Sequence, residues 1–357
     1  MKAAIINSRQ SAYPVGDDLW VQKTLRAVEY LAGRQYTIVT SIGLNTWELV
    51  LALASQYKAE VNIIMPAQKY ETGLEEKIIN DFKLDSKRVW FLKSDELIPE
   101  KRQRLLSRDK AVIDLADILV PISIRPSGNM VYLLDCSKDK IFSRYQIPYQ
   151  KSRRRPSYKI IKLNPELSDG KWLVHFTRSG KFPWPGLTSF EFYHSMISSG
   201  KEYCQSAHNV LVRILESRII RASNNNIADG SYVVGFSNLI NVDPAEIFRY
   251  RSRLVNPYFE PYGLAISTDY VSKHGISPVI YGDRHLYDTL DGDKRSFFQS
   301  RGKKNQWVGE NEWRHIGDFV FDNIPPDHLR IIVPNQKEVN EFQAMSSIPV
   351  IPLDFTE

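Results

Sequence analysis

The sequence predicts an α/β fold, with a doubly wound parallel sheet in the first half and an α+β domain in the second. Three observations carry the prediction. Short apolar runs alternate with helix-patterned stretches from Ala3 to Ser123, the pattern of strands joined by right-handed crossover helices. After residue 170 short β-rich runs follow one another with few helices between them, which points to a mainly antiparallel sheet. A chain of 357 residues also exceeds one typical core, so two domains are expected. The composition places them at 1–150 and 171–357, joined by a basic linker at 151–170.

Ala3–Asn7 is a strand ending in the polar turn Ser8-Arg9-Gln10-Ser11. Asp17 and Asp18 precede a helix whose apolar residues Val21, Leu25, Val28 and Leu31 share one face. Tyr36–Thr40 is the second strand and Thr46–Tyr57 the second helix. Val61–Met65 is a third strand, stopped by Pro66. Thr72–Phe82 reads as helix, Arg88–Leu92 as strand, Pro99–Ala116 as helix and Asp117–Ser123 as the fifth strand. Ligands of such sheets sit beyond the carboxyl ends of the strands. Three polar turns fall there: Ser8–Ser11, Thr40–Asn45 and Ser123–Asn129. The candidate binding residues are therefore Ser8, Arg9, Gln10, Thr40, Ser41, Gly43, Asn45, Ser123, Arg125, Ser127 and Gly128. Asn45 is placed to cap the second helix, with Glu48 completing a capping box. Such a helix start turns free N–H groups and the positive dipole end toward an anion; a purely structural βα turn reads equally well from the same residues.

In the second half, Trp172-Leu-Val-His-Phe-Thr-Arg178 is an apolar strand that ends on a His, a Thr and an Arg. Helices are expected at Ser189–Ser198 and Ala207–Arg218, the latter capped by Ser206. Further strands are Ile219–Ala222, Tyr232–Ser237, Tyr262–Ser267, Pro278–Tyr281, Trp307–Arg314, Asp318–Phe321 and Leu329–Val333. Arg178 beside His175 suits a phosphate, because guanidinium binds it bidentately. Alternation puts Glu310, Glu312 and Arg314 on one strand face and Trp307 and Trp313 on the other. Glu312 reads either as part of a surface ion-pair ladder or as a carboxylate stabilising an oxocarbenium ion. Tyr262 is either a core aromatic or a stacking platform.

Composition narrows the function classes. With 43% hydrophobic and 25% charged residues, the chain has the balance of a globular protein. No apolar run approaches the ~20 residues of a membrane span, and MKAAIINSRQ lacks a signal-peptide core, so a cytoplasmic protein with no membrane partner is expected. Cys136 and Cys204 are the only cysteines, without a CxxC, which argues against a disulfide framework. The seven histidines all lie between His175 and His328 without i, i+4 pairing, which makes no case for a metal. The net charge of +6 is mild and sharpest at Lys151-Ser-Arg-Arg-Arg155, read as a solvated linker or a phosphate-touching arm.

The first half lacks the GxGxxG dinucleotide fingerprint. Its Thr40-Ser-Ile-Gly-Leu-Asn45 turn and its later Ser127-Gly128 turn resemble the Rossmann-like family of the DNA-processing protein DprA and the lonely-guy-type enzymes, grouped as SLOG domains. The resemblance covers about the first 135 residues. It implies a nucleotide-derived ligand or single-stranded DNA. The Pro-Gly-Gly-x-Gly-Thr run of the lonely-guy phosphoribohydrolases is missing, which favours binding without cleavage.

Over residues 170 to 335 the strand order resembles an ADP-ribosyltransferase-type fold, including phage-defence relatives. That resemblance implies NAD as substrate, with His175 on the ribose, Tyr262 on the nicotinamide and Glu312 as the catalytic carboxylate, beside Arg178. The expected function is then a sensor–effector that binds a nucleotide in its first domain and cleaves NAD or transfers ADP-ribose in its second. Two rivals stand beside it: a DprA-like single-strand-binding protein without catalysis, and a nucleotide N-glycohydrolase using Glu48. The expected partners are a nucleotide-derived small molecule, nucleic acid and, for a homo-oligomer, further copies of the chain.

Overall fold

In the computed structural model, residues 1–66, 71–93, 98–150, 160, 162–225, 227–248, 250–251, 256–257, 259–301 and 308–354 are described. The apolar runs of the first half form five strands and the helices between them. These are β1 (Lys2–Ile6), α1 (Leu19–Gly33), β2 (Thr37–Ser41), α2 (Trp47–Gln56), β3 (Val61–Met65), α3 (Leu74–Phe82), β4 (Val89–Lys93), α4 (Lys101–Leu115), β5 (Ile118–Pro121) and α5 (Asn129–Asp135). All pairings are parallel, in the order β4-β3-β2-β1-β5. Strand alternation feeds two cores. Ala3 and Ile5 face one with α1 and α2, while Ala4 and Ile6 face the other with Val112 and Ile113 of α4. Burial on both faces is what produced near-continuous apolar runs in the sequence. β1 is flanked by β2 on one side and β5 on the other, so the strand order reverses there and opens a crevice at the carboxyl ends of β1 and β5.

The chain divides into two units, Met1–Arg154 with Lys181–Cys204, and Arg155–Gly180 with Gln205–Glu357. By composition the whole of 171–357 falls in the second domain. The structure instead assigns 181–204 to the first unit, where α6 (Ser189–Ser198) lies against α2 and α3. Apolar Met196, fully buried, joins the core of Trp20 and Val28. Ser189 donates to both carboxylate oxygens of Asp81, from N at 2.8 Å and from Oγ at 2.6 Å.

The second unit is built on a seven-stranded sheet. Its elements are β6 (Trp172–Phe176), α7 (Ala207–Ser217), β7 (Val233–Asn238), β8 (Gly263–Ser267), β9 (Ser277–Pro278), β10 (Glu312–Ile316), β11 (Leu329–Val333), α8 (Gln336–Met345) and β12 (Val350–Pro352). The order is β9-β10-β7-β6-β8-β11-β12, antiparallel except for the last pair. The expected α/β fold with a following α+β region is the one observed. Ser206 caps α7 as predicted, its Oγ accepting from Asn209 N at 3.2 Å. The strand expected from Trp307 starts at Glu312; residue 307 and the basic run at 151–155 lie outside the described residues. Among the described residues no helix is long and apolar enough to cross a membrane.

Candidate functional site

Asn7, the first polar residue after the apolar β1, is fully buried and ties three loops together at the crevice. Its Nδ2 donates to Thr46 Oγ1 (3.1 Å) and Thr24 Oγ1 (3.3 Å), and its Oδ1 accepts from Ser123 N (3.3 Å). Ser8 completes the tie: its N donates to Ser123 O at 3.0 Å and its Oγ accepts from Arg125 N at 2.9 Å. Gln10 Nε2 donates to Ser8 O (3.1 Å) and Ser123 O (3.4 Å). Tyr149 OH donates to Arg9 O at 3.1 Å. The predicted turns after β1 and β5 thus meet, with the N–H groups of Ser8, Ser123 and Arg125 engaged between them. What remains outward are side chains. Arg9 and Arg125 are exposed, and among the described residues neither guanidinium forms an ion pair. Lys181, half-buried, lies over the Tyr13 ring at 5.8 Å. Burial lowers its pKa, and the nearby charge of Arg9 lowers it further. Lys181 is not legible in the sequence as part of this site, because residue 181 falls in the stretch expected in the other domain; Asn7 is not, because it reads as the end of a strand.

The turn after β2 departs from expectation. Asn45 is not the cap of α2 and no capping box forms. The N-cap is Thr46, held in the left-handed region at φ 64° without a side-chain cap bond. Its hydroxyl is engaged instead by Asn7, and Glu48 turns away to accept from Tyr193 OH at 2.8 Å. Ser41 is structural: buried, it donates from Oγ to Ile64 O at 2.8 Å. Thr40 Oγ1 is buried, without a hydrogen-bond partner among the described residues. Gly43 needs its freedom, at φ 80°, and its carbonyl accepts from Arg108 Nη1. Ser127 and Gly128 stand exposed where α5 begins, Gly128 at φ 127°.

In the second unit the register separates the residues expected to work together. Ser237 of β7 lies opposite both Val174 of β6 and Glu312 of β10. Directly opposed residues share a face and neighbours along a strand alternate, so Glu312 faces the side of Val174 and His175 faces the other. The expected convergence of His175 and Glu312 on one NAD is therefore corrected: they stand on opposite faces of the sheet. Glu312 grips the buried Arg314 at 2.8 and 3.1 Å. His175, partly buried, has Nδ1 at 2.8 Å from Gly235 O. Desolvation pulls its pKa down to about 4; the Gly235 carbonyl opposes this and the charge of Arg178 adds to it. Nδ1 is the donor in that contact, which leaves a neutral ring with its lone pair on Nε2. Tyr262 is buried with His208 at 5.7 Å and Phe342 at 6.4 Å between ring centroids. Arg178 is exposed, its guanidinium 5.9 Å from the Phe259 ring centre. Among the described residues no group of three or more His, Cys, Asp and Glu is placed to hold a metal ion.

Part of the chain is similar in fold to solved structures of DNA processing protein A. One is the Helicobacter pylori protein, described for its single-stranded DNA binding mode, at 17% identity and a TM-score of 0.29 over 40% of this chain and 63% of that one. Another is the Streptococcus pneumoniae protein, at 12% identity and a TM-score of 0.32 over 59% and 60%. The match spans less than two thirds of either structure. No protein-family model and no curated protein matches the chain.

Proposed function

We propose that the first unit binds the phosphate backbone of single-stranded nucleic acid at the crevice between β1 and β5, without cleaving it. The observation that carries this reading is the cationic trio Arg9, Arg125 and Lys181 on one edge. Two of them lack a carboxylate among the described residues, and the third has its charge disfavoured first by burial and then by its neighbour Arg9. An anion between them removes that repulsion, and guanidinium groups match phosphate bidentately. The location is where open parallel sheets take their ligands. The modest net charge of +6 suits a short contact of a few phosphates rather than a long basic track.

The test is fluorescence anisotropy with labelled single-stranded oligonucleotides across a salt series. About three phosphate contacts give a slope of log K on log salt near −2. Replacing Arg9, Arg125 and Lys181 together by Ala should lower affinity uniformly across sequences and flatten that slope. Binding that ignores both salt and the triple variant would remove the proposal. The alternative of NAD cleavage by the second unit predicts nicotinamide release that Glu312→Gln abolishes, and no geometric observation favours it.

A further inference from the structure

Beside the turn after β2, within the first unit, lies a cavity of about 300 Å³. It is lined by apolar Ile42, Leu74, Ile78 and Phe82, by Trp47, and by the acidic residues Glu48 and Asp81. Three details give it a direction. The two oxygens of Asp81 are already taken by Ser189. Glu48 Oε2 accepts from Tyr193, whereas Oε1 has no hydrogen-bond partner among the described residues. The Trp47 ring is held by Phe82, centroids 5.7 Å apart. The cavity is therefore lined by an indole ring and by a carboxylate whose Oε1 is unspent among the described residues and whose Oε2 accepts one hydrogen bond.

We propose that this cavity takes a single nucleobase of a bound strand, read by Glu48 through N–H donors on its Watson–Crick edge, with guanine as the best fit. The inference rests on the strand-binding reading above. Its volume lies at the low end for small-ligand sites, which fits one ring system with little of its sugar. Unstacked bases are held by stacking on aromatic side chains and by hydrogen bonds to that edge. A carboxylate only accepts, so it selects bases with adjacent donors. Guanine presents N1–H beside its amino group, whereas thymine presents a single N–H between two carbonyls. Burial raises the pKa of Glu48, opposed by the Tyr193 hydrogen bond and reinforced by Asp81. That weakens the cavity as a host for a simple organic cation, although Glu71 and Lys77 also line it.

The experiment uses the full chain and three labelled oligonucleotides: oligo-dT, the same strand with one central dG, and the same strand with a central abasic site. Wild type should bind the dG strand at least about tenfold tighter than the abasic one. Glu48→Gln keeps the side-chain shape and should erase the preference for the dG strand over oligo-dT while leaving affinity for the abasic strand unchanged. A thermal melt establishes that the variant is folded. Free guanosine and spermidine are titrated separately. Equal binding of all three strands by wild type overturns the base site and leaves the backbone reading standing. A preference that survives Glu48→Gln also overturns it. Guanosine binding without strand binding removes the backbone reading and keeps the cavity as a base site. Binding of spermidine in preference to guanosine, or of no ligand at all, overturns the assignment.

Discussion

Glu312 illustrates how a residue type that suggests chemistry is used for structure. Its carboxylate neutralises Arg314, which is 1% exposed and spends all five of its N–H donors. Two go to Glu312, two to the carbonyls of Ser296 and Phe298, and one to Gln299 Oε1. Removing one partner of a buried pair leaves an uncompensated charge, at a cost of about 3 kcal/mol or more. Glu312→Gln should therefore lower the unfolding free energy by that amount, read as a lower urea midpoint at an unchanged slope. An unchanged midpoint together with lost NAD cleavage would return Glu312 to catalysis. His175 makes a second residue-scale prediction. Its pKa is about 4 in the folded chain against 6.5 ordinarily, so the unfolded chain binds the proton more readily. Its contribution is intact above about pH 6.5 and is lost as the pH falls toward 4, at no more than about 1.4 kcal/mol per pH unit. His175→Gln, which retains a donor for Gly235, should lose less stability between pH 7 and pH 5 than wild type. Equal losses in urea melts at the two pH values would show that His175 is not the group responsible.

At the scale of single elements, helix starts separate what a sequence reveals from what it hides. α6 has a complete capping box: Thr188 Oγ1 accepts from Glu191 N at 3.2 Å, and Glu191 Oε2 accepts from Thr188 N at 2.9 Å. The box expected at Asn45 and Glu48 does not form. Thr188→Ala should cost about 1 kcal/mol and Asn45→Ala much less, as read from paired denaturation curves; equal costs would restore a capping role to Asn45. The five strands and the helices α2 to α4 are legible to within two residues of their bounds, because burial on both faces leaves apolar runs of strand length; α5 is not legible, since its start at Asn129 reads only as a turn. The capping register was not legible. Asn45 and Thr46 are both cap-competent residue types, and the choice falls to Asn7, whose side chain reaches Thr46 from 39 residues away. The same holds for the candidate site: Arg9 and Arg125 followed from their places after β1 and β5, but the buried Asn7 that joins their loops did not.

At the scale of the whole molecule, the chain enters and leaves its first unit twice, at 154 and 181 and again at 204. No local pattern in Ser189–Ser198 says which sheet it covers. Its amphipathic face fits either, and the deciding contacts come from residues about a hundred positions away, as in Ser189 to Asp81 and Lys83 to Glu191 at 2.7 Å. That is why Lys181, Tyr193 and Asp81 are not legible in the sequence as site residues. The consequence is testable by truncation. A chain ending at residue 154 carries all five strands of the parallel sheet but lacks α6. It loses the hydrogen bonds of Asp81 and Glu48 to that helix, along with Phe192 and Met196, both nearly fully buried. Burying two such side chains contributes about 1.5–3 kcal/mol each, a large share of a typical domain stability of about 5–15 kcal/mol. The truncated chain should therefore unfold well below the full-length protein in thermal melts, expose apolar surface to a hydrophobic dye, and recover when residues 181–204 are fused to its end through a flexible linker. A 1–154 chain as stable as the fused one would mean that the returning helix is an ornament on a self-sufficient sheet.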